Sequence, residues 1–255
     1  MGPQFFVEDF FVYNLILSTL LGLVIFGLSM LINEMHWAFA LLIGIAASFG
    51  CMIFATRKIM KKLEPLFGQA QKQAQARQFK LALKTLKGIL PYAKWQVMLK
   101  GQIESQMGVF HYADKNEASA LEHLAKGSVR SPEAQMILAS IHFKNGNVDQ
   151  AKEVLEVTIK FNKKQVLLYN ALAFMLQLKG QKDEAIVILQ KGIKVLGGHE
   201  ATQDNLNRLQ NGKKMNMKPF GMNWYSLQLE KSPLSMMQDQ FSGRAGFRQP
   251  KRKKG

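Results

Sequence analysis

Apolar residues crowd the N-terminal part of this chain. No charged residue occurs from Phe10 to Ile32, and none from Trp37 to Thr56. A helix rising about 1.5 Å per residue crosses a hydrocarbon layer of about 30 Å in roughly 20 residues, and each run is that long or longer, so each predicts a transmembrane helix. Asn33, Glu34, Met35 and His36 between them suffice for a tight hairpin. A cleaved signal peptide is the rival reading of the first run, but that run lacks a basic start and is too long for the apolar region of such a peptide. From Leu63 to about Gly212 the pattern changes. Apolar residues recur at intervals of three and four, and no alternating strand pattern appears, so the chain is read as all-α. Beyond Lys213 the periodicity fails, and Pro219, Pro233, Pro250, Gly243 and Gly246 interrupt it. The boundaries predicted are a membrane anchor over residues 1–62, a helical domain over 63–212 and a basic, mostly disordered tail over 213–255.

Within the helical domain one outline occurs twice. FKNGNVDQAKEVLE, from Phe143, returns as QLKGQKDEAIVILQ, from Gln177, with Gly146, Asp149, Ala151 and Leu155 matched by Gly180, Asp183, Ala185 and Leu189. Each step is 34 residues. Ala139, Ala151, Ala173 and Ala185 are small enough for two helices to cross closely, and Leu138, Leu155, Leu172 and Leu189 fill the space between units. One such unit cannot bury its apolar face, so neighbours must stack. Two weaker units precede these. Leu63 to Lys94 offers Ala70, Phe79, Ala82 and Leu86, and Gly101 to Ser131 offers Met107, Gly108, Ala120, Leu124 and Gly127. The step from Ala82 to Ala120 is longer than the regular period, that from Ala120 to Ala151 is shorter, and Lys115 stands where the turn glycine belongs. Ala201 to Leu209 reads as a capping helix, with Gly212 as its stop signal.

A helix–turn–helix period of 34 with a glycine turn resembles the tetratricopeptide repeat (TPR). The resemblance covers about 150 residues and implies a TPR-like α-solenoid of about four repeats that holds other proteins in a concave groove. In that family the first helix of each unit lines the groove. Carried onto this sequence, the groove takes Ser105, Val109 and Tyr112 from the second unit, Met136, Ser140, Phe143 and Lys144 from the third, and Asn170, Phe174 and Gln177 from the fourth. Such an apolar strip with polar edges suits an amphipathic helix or an extended peptide. The alternative, that Phe143 and Phe174 merely pack against neighbouring helices, stays open. The family's variant that clamps a C-terminal carboxylate is not expected, because Asn170 alone matches its set. In layout, two spans and then a cytoplasmic repeat domain, the chain resembles PelE-type components of bacterial exopolysaccharide export.

Charge adds orientation. No basic residue precedes Phe10 or lies in the hairpin, whereas Arg57, Lys58, Lys61 and Lys62 follow the second span at once. Such an excess stays cytoplasmic. The expectation is a multi-pass protein of a bacterial inner membrane, with both termini and the repeat domain in the cytoplasm and Glu34 on the far side. The net charge is +16, and residues 213–255 carry ten Lys and Arg against Glu230 and Asp239. The terminal cluster Lys251, Arg252, Lys253 and Lys254 fits anionic lipid or an acidic protein surface, and less readily nucleic acid. Within the tail Phe220, Trp224, Tyr225, Leu227 and Leu229 are unusually apolar; fold-back on the solenoid is favoured over docking on a partner.

Candidate chemistry is sparse. Ala40, Gly44 and Ser48 on one span and Ser18 and Gly22 on the other allow close helix packing, within the hairpin or against a partner's membrane helix, and Asn14 can bond across helices. Cys51 is the single cysteine, so no internal disulfide forms. No phosphate loop, dinucleotide turn, zinc-protease helix or nucleophile elbow is present. His111 and His142 fall at corresponding places in their repeats, which suggests shared packing. No catalytic, cofactor or metal site is expected. The function expected is a membrane-anchored scaffold that recruits a cytoplasmic protein partner, in secretion or envelope assembly. The alternative is a tether for RNA, DNA or a ribosome through the basic tail.

Overall fold

The computed structural model describes residues 13–32, 36–96 and 98–231. Among them there is no strand. The chain divides into two units, Met1–Ala134 and Gln135–Gly255.

The first unit begins with two apolar helices, α1 (Tyr13–Met30) and α2 (Trp37–Gln75). Both are long and apolar enough to cross a membrane. Their large side chains point outward, with Leu23 60%, Phe39 65% and Phe54 70% exposed, which a helix buried in a soluble core does not show. The two pack along a seam of small residues. A Cβ added to Gly22 would lie 2.7 Å from the carbonyl oxygen of Gly44, and one added to Gly44 would lie 2.8 Å from that of Gly22. At the open end Asn14 is buried and donates to Thr56 Oγ1 at 3.0 Å and to the carbonyl of Met52 at 3.4 Å. That pairing satisfies a polar group that would otherwise be costly in an apolar setting.

Helix α2 does not stop where the apolar run ends. It continues unbroken past Arg57 and through Pro65 to Gln75, 39 residues and about 58 Å in length. The boundary expected at residue 62 therefore falls inside a helix. The reason is that the composition switches at Arg57 while helix propensity does not, since Lys, Arg and Met are all good formers. Beyond that switch Leu63 and Ala70 are buried against α3 (Phe79–Ile89). One core joins them to Leu86, Ile89, Leu99 and Ile103. A 3₁₀ segment, Leu90–Trp95, leads from α3 into α4 (Leu99–Ala113), which pairs with α5 (Glu117–Ala125). Gly108 admits Leu124 closely; a Cβ there would meet Leu124 Cγ at 2.5 Å.

α6 (Pro132–Lys144) carries the chain into the second unit, where α7 (Val148–Phe161), α8 (Val166–Leu178), α9 (Lys182–Leu196) and α10 (Glu200–Gln210) follow. A second 3₁₀ turn, Lys218–Phe220, and the short α11 (Gly221–Tyr225) come next.

The repeat shows in the turns. Arg77, Lys115, Gly146 and Gly180 all take positive φ, between 59° and 83°. At each, the following amide donates back to a carbonyl five residues earlier: Gln78 to Gln73, Asn116 to His111, Asn147 to His142 and Gln181 to Leu176. This is the left-handed helix cap that favours glycine. Lys115 adopts it without being glycine. Gly212 with Lys213 repeats the cap at the end of α10. Each of the four turns is followed, at the same offset, by a small residue: Ala82, Ala120, Ala151 and Ala185, each at most 1% exposed.

Candidate functional site

α8 is apolar nearly all round, so every side it presents must be covered. Residues 167–176 are all buried. α7 and α9 pack beside it, and α10 adds a further contact. The residues after α10 complete the cover. Gln177 accepts from the amide of Met215 at 3.2 Å and donates to the carbonyl of Lys213 at 3.4 Å. Its side-chain amide thus reads the backbone of an extended segment, as a peptide-binding groove does. Asn170 is fully buried; its Nδ2 donates to Thr202 Oγ1 at 2.9 Å, and its Oδ1 accepts from Asn205 at 3.0 Å. Asn205 in turn accepts from the amide of Asn216 at 2.7 Å. A buried polar chain so fully paired fixes one register for the segment.

Apolar contacts follow the same route. Met215 and Met217 are buried, and Trp224 and Leu227 are wholly so. The Trp224 ring meets Phe174 edge-on, centroids 4.7 Å apart, and its indole N–H donates to Glu230 at 2.7 Å. The expected disorder therefore does not hold for residues 213–231, and the aromatic segment folds back. Of the proposed groove residues, Asn170, Phe174 and Gln177 are engaged by the chain's own C-terminal segment.

The other groove residues are placed as follows. Met136 and Ser140 are buried, with the Ser140 hydroxyl donating to the carbonyl of Ile137 at 2.8 Å. Phe143 is half-buried, and Lys179 Nζ sits 5.5 Å from its ring centroid. Lys144 is exposed. In the first unit Tyr112 is buried, Val109 is half-buried, and Ser105 accepts from the amide of Ser128 at 2.9 Å. The tail cluster Lys251, Arg252, Lys253 and Lys254 lies outside the described residues, as does Glu34.

Histidines supply a second cluster. His111 stacks on His123, centroids 5.1 Å apart, and His123 Nδ1 lies 2.7 Å from Glu104 Oε2. Burial, then the neighbouring His123 and Lys87, hold His111 below the ordinary histidine range. Burial alone lowers His142. His111 pairs with His123 because α4 and α5 are antiparallel neighbours; correspondence between repeats gives no hint of that. No group of three or more His, Cys, Asp or Glu is placed to hold a metal ion among the described residues.

The basic collar is the third feature. Arg57, Lys58, Lys61 and Lys62 lie on α2 just past the apolar run, and Lys62 Nζ lies 5.1 Å from the Tyr92 ring centroid. Residues 57–100 hold eleven Lys and Arg against Glu64 alone, a net +10 that exceeds the tail's +8. A charge count by segment finds this block; a search for terminal clusters does not.

No family model, curated protein or solved structure matches the chain.

Proposed function

We propose that this chain is a membrane-anchored scaffold whose tetratricopeptide-type hairpins hold a cytoplasmic protein partner beside a bacterial inner membrane, in a secretion or envelope-assembly complex. One observation carries the reading: α2 passes without a break from a half whose apolar side chains face outward to a half buried in the first helical hairpin. An anchor and a repeat domain are thereby joined through one continuous helix. Support for a binding role comes from the repeated caps and alanines, which set helical hairpins at regular intervals. Of the proposed groove residues, Phe143 and Val109 are half-buried and keep surface for a partner.

Two experiments test this. In a Cys51→Ala background, Glu34→Cys should react with an impermeant thiol reagent from outside the cell, and Lys213→Cys should not. The reverse pattern rejects the orientation. For the partner, the detergent-solubilised full chain should retain a co-purifying protein at high salt, because burial of apolar area depends little on ionic strength. Phe143→Asp should release it, and truncation after Lys231 should not. Release by nuclease or by the truncation would replace the scaffold with a nucleic-acid tether.

A further inference from the structure

The 3₁₀ segment Leu90–Trp95 returns the chain to a place the sequence does not suggest. Asn14 bonds to Thr56, so that level marks the end of the second apolar run and lies four residues inside the start of the first. The Trp95 ring lies 5.4 Å from that of Tyr13, the residue next to Asn14. Trp95 is therefore level with the base of the apolar hairpin. It gets there because α3 runs back along α2 and the 3₁₀ segment extends that return.

We propose that Trp95, with Met98 and the basic residues Lys62 and Lys94, forms an interfacial lip that binds anionic phospholipid headgroups at the base of the hairpin. The proposal rests on the membrane-anchor reading above. Trp95 is 41% exposed and Met98 49%, so both keep apolar surface uncovered. Lys94 precedes Trp95 directly, Lys58 and Lys61 lie on α2, and Lys62 is held over Tyr92. Tryptophan and tyrosine favour the headgroup layer, where one edge is apolar and the other wet. Each lysine or arginine close to an anionic leaflet adds electrostatic attraction. Lipid is the fitting occupant for a positional reason. Trp95 meets Tyr13, which is 44% exposed at the start of the apolar α1, so a soluble protein docking there would itself have to enter the headgroup layer.

The full chain carrying Trp37→Phe is reconstituted in phosphatidylcholine vesicles containing phosphatidylglycerol. Either lipid carries a nitroxide near its headgroup. The Trp95 signal is the fluorescence lost on adding Trp95→Phe. The expected result is that the shallow nitroxide quenches Trp95, and does so more strongly on phosphatidylglycerol than on phosphatidylcholine. Lys62→Gln with Lys94→Gln should erase that preference. Equal quenching by the two lipids overturns the anionic selectivity. If Trp95 escapes the nitroxide but is freely quenched by aqueous acrylamide, or is shielded from both, the lip is overturned. Alkaline carbonate extraction of the same vesicles separates the two readings. Retention with an unquenched Trp95 sinks the lip alone, whereas extraction sinks the anchor and the lip with it.

Discussion

Trp224→Ala is expected to lower the stability of the second unit by about 3–5 kcal/mol, the usual cost of deleting a large aromatic from a packed core. Trp224 is the largest of the fully buried side chains. Its loss removes the edge contact to Phe174 and leaves Glu230 without the indole N–H. A whole domain is usually stable by only about 5–15 kcal/mol, so the melting midpoint in detergent should fall by many degrees. Met222→Ala, close by in the chain and 68% exposed, should leave the midpoint almost unchanged. Equal midpoints for the two variants would mean that residues 213–229 do not pack on α8.

Gly44→Leu should separate the two apolar helices. The atom nearest to a new Cβ at Gly44 is the carbonyl oxygen of Gly22, 2.8 Å away, with Phe26 Cβ at 3.0 Å. A backbone oxygen cannot swing aside as a flexible side chain does, so the whole helix must shift. The cost is expected at the upper end of the roughly 1–3 kcal/mol typical of overpacking. The readout is a disulfide between Asn14→Cys and Thr56→Cys in a Cys51→Ala background, positions whose native side chains meet at 3.0 Å. Oxidation should cross-link this pair efficiently, and Gly44→Leu should suppress the product. Gly50→Leu is the control, because a Cβ there meets nothing within 4 Å. Undiminished cross-linking in Gly44→Leu would show that the seam does not set the helix separation.

How legible is all this in the sequence? The apolar hairpin and the helical character are, because both depend on local periodicity. The weaker early units are also legible in outline. Their alanines, Ala82 and Ala120, are irregularly spaced, and the caps at Arg77 and Lys115 carry the same irregularity, while Gly146 and Gly180 keep the regular period. Lys115 misleads because glycine only lowers the cost of a left-handed turn. Packing on either side of the turn can impose that conformation on another residue for about 1–2 kcal/mol. The cover over Asn170, Phe174 and Gln177 is not legible as such. Periodicity reveals which face of α8 is apolar, and is silent about what lies on it. The covering segment is extended and rich in methionine, with no period of its own, so by sequence it reads as tail. Composition singles out Trp224, but its partner Phe174 is distant in sequence. The return of Trp95 to Tyr13 is illegible for the same reason, since it depends on the length and direction of α3.

The unbroken course of α2 has a directional consequence. A helix turns about 100° per residue, and a helix with no joint preserves that phase along its whole length. α1 lies against one side of α2 near Gly44, and α3 lies against another near Leu63 and Ala70. The angle between those two sides, seen down the α2 axis, is therefore a fixed property of the chain. It acts as a compass bearing: whatever holds α1 in place also decides which way the first helical hairpin, α2 with α3, faces.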